Sequence, residues 1–316
     1  MKKTLIVLFA VISTLLIFGC AKNTKTDVIR YIALKVYDPV FIAQEKGFLS
    51  KHGVTLEITD LVTAGPTALQ AISGGTADAC HSSYMAIIAA RAQGLPIIAV
   101  TDLQSAIGSQ ALEEFFVRKD SGIYSVADLK GKTIAINLVK SSFHYTWLMA
   151  LEKAGLSETD VNFIILPFEQ QELALANSRV DAIGLMQPYV LHAKENKDLK
   201  VLYTALDVFG QKQFAAHVMN RIWAENNPSL ARGFVAAVVE AVAWIEANQQ
   251  EAKTIIGKYT GIAPEYIEDY SYQKNAAIIT ADAQYWLDYM LGHGDITAKW
   301  LTVGDFATNK YNPNGE

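Results

Sequence analysis

The sequence predicts an α/β protein of two lobes, with mixed, mostly parallel sheets, flanking helices and a hinge of two crossing strands. Three observations lead there. Strand-like and helix-like segments alternate from Val28 to about Asn220, as in parallel strands covered by helices. The alternation breaks and restarts near Val126. From Pro228 the pattern turns helical, and 316 residues is long for a single domain.

Taken in order, Val28 to Lys35 is apolar and reads as a buried strand. Val36-Tyr37-Asp38-Pro39 breaks it, a helix opens over Val40 and Phe41, and Gly47 stops it. Phe48 to Gly53 turns the chain into a strand over Val54 to Ile58. The stretch from Thr63 to Tyr84 is the richest in signals. Gly65 caps and Pro66 opens a helix with Leu69 and Ile72 on its apolar stripe, and Gly74-Gly75 ends it. Asp78-Ala79-Cys80 is a compact strand, and Ser82 and Ser83 cap a helix from Tyr84 to Gln93, stopped by Gly94. Two helix starts therefore follow two strand ends. In an open parallel sheet those ends share one edge, where ligands bind. The free N–H groups of a helix start favour an anion there.

Strands over Ile97 to Val100 and Phe115 to Val117 follow, then a polar segment from Arg118 to Gly122. The second block has a helical turn at Val126 to Lys130, a strand at Thr133 to Ile136, and a helix opened by Ser141-Ser142 and closed by Gly155. A strand at Phe163 to Leu166, a helix at Glu169 to Asn177 and a strand at Val180 to Leu185 come next, with Pro188 opening a further helix. Val201 to Tyr203 and Phe214 to Met219 are the last strands. Beyond Pro228, Leu230, Phe234, Val238, Ala241 and Ile245 share one helical face. Helices over Ala252 to Tyr259, Pro264 to Tyr270 and Ala281 to Leu291 complete the tail. This organisation assigns residues 28–115 and 217–316 to lobe 1 and residues 116–216 to lobe 2, with crossings near Glu114–Arg118 and Gln213–Val218. No internal sequence repeat is visible.

Met1-Lys2-Lys3 and the apolar run Thr4 to Phe18 form a secretory signal over residues 1–19, too short to span a bilayer. It ends in Ile17-Phe18-Gly19-Cys20, which resembles a bacterial lipobox, so Cys20 is the expected lipidation site and residues 20–27 a tether. An uncleaved anchor is the alternative, and both place the body outside the cytoplasm, at a bacterial membrane. Removing residues 1–19 takes Lys2 and Lys3 away and leaves 25 basic against 32 acidic residues, a formal charge of −7. That balance, without a basic stripe, argues against a nucleic-acid partner. Any anion must be held by local dipoles rather than net charge. With Cys20 lipidated, only Cys80 remains, which excludes a disulfide or a cysteine metal site. No H-E-x-x-H pair occurs among the six histidines and no G-x-S-x-G elbow is present. The expectation is therefore no enzyme, no metal and no cofactor.

Several segments resemble one family: Phe41 to Phe48, Gly65 to Gly75, Asp128-Leu129-Lys130-Gly131-Lys132-Thr133-Ile134, Ser141-Ser142-Phe143-His144-Tyr145, and Leu175 through Val180-Asp181-Ala182 to Pro188. In this order and spacing they are similar to substrate-binding proteins of ABC importers, in the superfamily that takes sulfonates, taurine, nitrate and pyrimidine precursors. The Ser-Ser-x-His-Tyr segment looks closest to the taurine and alkanesulfonate branch. The resemblance implies the type II periplasmic-binding-protein fold, closing on a small ligand between its lobes, as a monomer serving an ABC permease and ATPase. The ligand implied first is a small organic anion, an alkanesulfonate or taurine-like compound. A neutral heterocycle, such as a pyrimidine or flavin precursor, is the alternative. A pyrimidine-synthesising branch of the superfamily carries a cysteine-rich iron motif that this chain lacks. Two departures fall where the ligand belongs: Met186 stands where the branch often has tryptophan, and His81 where it often has a small residue.

The expected ligand contacts are Tyr37, Asp38, Gly65, His81, Ser82, Ser83, Ser141, Ser142, Gln187 and Gln213. Each has a plainer reading. The serines serve equally as helix caps, Asp38 as a turn residue, and His81 as a packed core histidine. Gln187 follows a strand end, where an unpaired amide would be costly to bury. His144 reads as structural.

Overall fold

A computed structural model describes residues 28–62, 64–105, 110, 111 and 113–315. The expected signal peptide, Cys20 and the tether lie outside the described residues, as does Thr63.

The first half contains β1 (Val28–Leu34), α1 (Pro39–Glu45), α2 (Phe48–Lys51), β2 (Thr55–Val62), α3 (Gly65–Ser73), β3 (Ala79–Ser83), α4 (Tyr84–Ala92) and β4 (Ile97–Ser105). Then come β5 (Glu113–Arg118), β6 (Thr133–Ile136), α5 (Ser142–Lys153), β7 (Asn162–Ile165), α6 (Phe168–Ala176), β8 (Ala182–Met186), α7 (Val190–Glu195), β9 (Leu199–Thr204) and α8 (Ala205–Phe209). The chain finishes with β10 (Gln213–Asn220), α9 (Arg221–Asn226), α10 (Pro228–Ala247), α11 (Gln249–Thr260), α12 (Thr280–Gly292) and α13 (Val303–Phe306).

The strands form two five-stranded sheets, ordered β2-β1-β3-β10-β4 and β7-β6-β8-β5-β9. The same recipe builds both. In the first, β1 pairs in parallel with β2 and β3, and β10 enters antiparallel between β3 and β4. In the second, β6 pairs in parallel with β7 and β8, and β5 enters antiparallel between β8 and β9. Each inserted strand is thus the one that has just arrived from the other lobe. This topological repeat has no counterpart in sequence, because it needs only the same order of apolar runs and turns.

The expected lobe boundaries at 115/116 and 216/217 fall inside β5 and β10. The structure moves the crossings to between Ser105 and Glu113 and between Phe209 and Gln213. Each strand makes a ladder with two neighbours of one sheet, so it cannot be shared between lobes. Other elements shift for local reasons. Ala64, not Gly65, is the N-cap of α3. β2 runs on to Val62 because its later residues pair with β1. The helix expected over Pro264 to Tyr270 is only a 3-10 turn, Pro264–Tyr266. Beyond it, the Gln249 amide donates to the Tyr270 carbonyl at 3.0 Å and accepts from its N–H at 3.0 Å, as a strand neighbour would, which holds the segment out of a helix. α7 starts at Val190, after a cis Gln187–Pro188 peptide, rather than at Pro188. The short α8 escaped the sequence reading, although its Thr204/Asp207 capping box is an ordinary signal.

Helices cover both sheets, and the core is large and apolar. In the second lobe, Trp147 and Phe115 pack edge to face at 4.8 Å, Tyr203 stacks on Phe115 at 4.3 Å, and Phe143 meets Phe168 at 4.9 Å. Gly184 on β8 makes this possible. A Cβ there would lie 2.7 Å from Phe143 and 2.8 Å from Phe115. Gly184→Ala should therefore overpack the lobe and cost about 1–3 kcal/mol, read as a lower denaturant midpoint with an unchanged slope. An unchanged midpoint would show that the two rings yield freely.

Candidate functional site

Three helix starts meet in the cleft between the sheets. α3 begins at Gly65 and has no side-chain cap, and Pro66 in its first turn has no N–H to offer. The first turn's remaining N–H groups are left without helical partners. α4 begins after Ser83, whose Oγ accepts from Ala86 N–H at 3.4 Å. α5, from the other lobe, begins after Ser141, whose Oγ accepts from His144 N–H at 3.4 Å and donates to Asn137 Oδ1 at 2.7 Å. All three are at least nine residues long, so each presents a positive dipole end.

One cavity lies between these starts. It holds about 420 Å³ of empty space, counting the solvent at its mouth. Its polar wall is Gly65, His81, Ser82 and Ser83 from the first lobe, with Asn137, Ser141 and Ser142 from the second. Leu34, Val36, Pro66, Phe143, Phe168, Met186, Phe214 and Ala215 make the apolar wall. Among the described residues, no lysine or arginine lines it. Ser82 is 2% exposed, and its Oγ has no hydrogen-bond partner among the described residues. Buried hydroxyls are rarely left so. Gly65 is placed by the same contact, since a Cβ on it would lie 2.3 Å from Ser82 Oγ.

Six of the ten expected contacts thus come together: Gly65, His81, Ser82, Ser83, Ser141 and Ser142. The other four do not line this cavity. Tyr37 is buried in the first lobe and stacks on Tyr270 at 5.1 Å. Gln187 donates to Glu268 Oε2 at 2.6 Å, and Lys194 bridges Glu268 to Glu114 beside it. Gln213 Nε2 donates to the Ala277 carbonyl at 2.7 Å, while its Oε1 accepts from Ile279 N–H. Gln187 follows the end of β8 as expected and Gln213 opens β10 at the second crossing, and segments distant in sequence engage both, although Gln187 Oε1 has no partner among the described residues.

Asp38 is the most consequential of the four. It is fully buried, and four donors surround its carboxylate. Oδ2 accepts from Tyr31 Oη at 2.7 Å and faces His81 Nδ1 at 3.1 Å, while Oδ1 accepts from Val40 N–H at 2.9 Å and faces His217 Nε2 at 3.0 Å. Burial alone would push this carboxyl up, but His217 and His81 beside it hold it well below the usual carboxylate range. Asp38 therefore acts behind the cleft, through His81.

Sequence reasoning did not single out Asn137 or Phe168 as candidate contacts. Asn137 follows β6, so the strand-end rule that found the serines could have found it too. Phe168 opens α6 and carried no signal separating it from core aromatics.

On the second lobe's side, Glu113 is buried near Ser142 and accepts from Thr146 Oγ1 at 2.7 Å. Burial pushes its carboxyl up to about 8, against the pull of the Thr146 and Ser142 hydroxyls. Asp102, near the end of β4, is likewise pushed up to about 8 by burial.

A family profile, NMT1/THI5 like, matches residues 36–252. The chain belongs to this family of two-lobed α/β proteins, and its fold is the type II periplasmic-binding-protein fold. A putative aliphatic sulfonates-binding protein of Escherichia coli is 28% identical over 207 residues, 66% of this chain and 63% of that one. The riboflavin-binding protein RibY of Chloroflexus aurantiacus is 29% identical over 226 residues, 70% of this chain and 62% of that one. Among solved structures, the alkanesulfonate-binding protein SsuA of Xanthomonas axonopodis pv. citri, bound to MOPS, superposes with a TM-score of 0.72 at 21% identity, over 89% of this chain and 98% of that one. The desulfurization enzyme DSZB shares the fold too, with a TM-score of 0.67 at 16% identity, over 91% of this chain and 98% of that one.

The buried acids give a pH prediction. Folded Glu113 keeps its proton up to about 8, while the unfolded chain loses it near the usual 4.5. Its contribution is fully present below pH 4.5 and is lost as pH rises through about 8. Unfolding free energy should fall by a few kcal/mol over that window, with Asp102 adding to the loss. Glu113→Gln should reduce the fall, and Asp102→Asn with Glu113→Gln should nearly remove it. Denaturant titrations at pH 5, 7 and 9 decide this, and an identical fall in the double variant would contradict it.

Proposed function

We propose that this chain is the substrate-binding protein of an ABC importer, taking a small organic anion between its lobes rather than catalysing a reaction. An alkanesulfonate or taurine-like compound is the ligand the site suits best. The observation that carries the reading is the convergence of three helix starts on one cavity that holds the orphan hydroxyl of Ser82. Partial charges of about half a unit at each start replace a formal cation. The ligand bridges both lobes, because α3 and α4 belong to one and α5 to the other. The apolar wall suits an alkyl chain. The relatives named for sulfonates support the same choice.

The neutral heterocycle is the second reading, favoured by Phe143, Phe168 and Phe214 on the wall and by the riboflavin-binding relative. The rest of the proposal is lipid anchoring through Cys20, an extracytoplasmic location, work as a monomer, and a permease and ATPase as partners.

Calorimetry with pentanesulfonate, taurine, nitrate and riboflavin tests the ligand class. Ser82→Ala separates binding from folding. It removes a buried hydroxyl that has no partner, so the empty protein should melt no lower than wild type, while anion affinity drops by about 0.5–3 kcal/mol. Ser83→Ala and Ser142→Ala should weaken the anion within the same range. Unchanged anion binding in all three, or riboflavin bound in preference to every anion, would turn the reading to the heterocycle. Mass spectrometry of the membrane fraction should find lipid on Cys20 and none after Cys20→Ser. An unmodified mature terminus would remove the anchor.

A further inference from the structure

We infer that His81 is the proton-accepting group of the cleft: an anion binds together with one proton, taken up on His81 Nε2 while Asp38 holds Nδ1. The inference rests on the anion reading above.

Among the described residues lining the cavity, His81 is the one side chain that can take up a proton to become a cation. It is 4% exposed, and its Nδ1 edge faces Asp38 Oδ2 at 3.1 Å and Tyr31 Oη at 3.4 Å. Tyr31 Oη donates a hydrogen bond to Asp38 Oδ2 at 2.7 Å. Nδ1 must then carry a hydrogen, since it faces an ionised carboxylate. This fixes Nε2 as the edge left for the cavity. In the neutral ring, Nε2 is a lone pair and repels an anion. In the imidazolium it is a charged donor. The cleft thus changes sign at one atom.

The surroundings favour that change at His81 rather than at His217. His217 faces His81 across the β3–β10 ladder and can donate to Asp38 only from Nε2. Its Nδ1 is buried without a partner among the described residues, so a second proton there would be an unpaired buried donor. Tyr31 and Cys80, the other titratable groups packed near His81, are both held up in their neutral forms, chiefly by burial. Tyr272, also buried near Asp38, is held in its neutral form for the same reason. Across the cleft, Asn137, Ser141, Ser142, Phe143 and Met186 carry no charge. Glu113 behind them is a further proton carrier.

The test uses pentanesulfonate and nitrate, anions of strong acids that take up no proton themselves between pH 6 and 8, so any uptake belongs to the protein. Titration calorimetry in two buffers of different ionisation enthalpy should show uptake approaching one proton at pH 8. Affinity should be about tenfold to a hundredfold tighter at pH 6 than at pH 8, since one linked proton allows at most about tenfold per unit. His81→Gln keeps a neutral donor in place. It should bind the anion with nearly the same affinity at both pH values and without the uptake. Uptake that persists in His81→Gln assigns the proton elsewhere, Glu113 first, and overturns the inference. Wild-type binding with equal affinity at pH 6 and 8 and no buffer dependence also overturns it, but leaves the anion reading standing. Failure to bind either anion at pH 6 removes both.

Discussion

The carboxylate of Asp38 ties the binding edge of the first lobe together. Its four partners come from four places: Tyr31 on β1, Val40 in the first turn of α1, His81 on β3 and His217 on β10. Burying an ionised carboxylate is tolerable only when such partners surround it. The cluster therefore constrains the fold as much as it stabilises it. It fixes how α1 leaves β1, and it seats β10, the strand returning from the other lobe, against β3. Removing any partner leaves a buried charge short of a bond. The same cluster holds the His81 ring at the cavity wall, so the edge of the sheet and the cleft share a single support.

The second sheet repeats the arrangement with a different support. β5 enters antiparallel as β10 does, and Glu113 at its start lies under Ser142 as Asp38 lies under His81. The two carboxyls are opposite in state. Asp38 meets four donors and stays ionised. Glu113 has Thr146 on Oε2 and no hydrogen-bond partner on Oε1 among the described residues, so burial outweighs the pull of the nearby hydroxyls and the carboxyl keeps its proton at neutral pH. Environment, rather than residue type, sets the charge on each side of the cleft.

How much of this could be read in the sequence follows from the range of each interaction. β6 falls where the apolar run Thr133 to Ile136 put it, because a short buried strand declares itself locally. The three helix starts were legible for the same reason: Gly-Pro and Ser-Ser are signals within a few residues of their effect. The inserted strands β5 and β10 were legible as strands but not as insertions, because direction depends on partners in the other half of the chain. Asp38 looked like a turn residue or a ligand contact because its partners His81 and His217 lie 43 and 179 positions away. Gln187 and Gln213 were misplaced by the same blindness. Gln187 does follow β8 and Gln213 does lie at the second crossing, but Glu268 and the backbone at 277–279 engage their amides.

On the proposed anion reading, an acidic protein gains from using dipoles. A buried arginine in this cleft would need a carboxylate to compensate it in the empty state, and that carboxylate would oppose the ligand. Helix starts and hydroxyls carry no net charge, so the empty cavity needs no counter-ion, and the open lobes do not bury an unpaired cation. The cost is a weaker grip on charge than a formal cation would give. The proton uptake inferred for His81 would resolve this, because its positive charge would exist only with the anion bound, and Asp38 already lies against its Nδ1 edge as counter-charge.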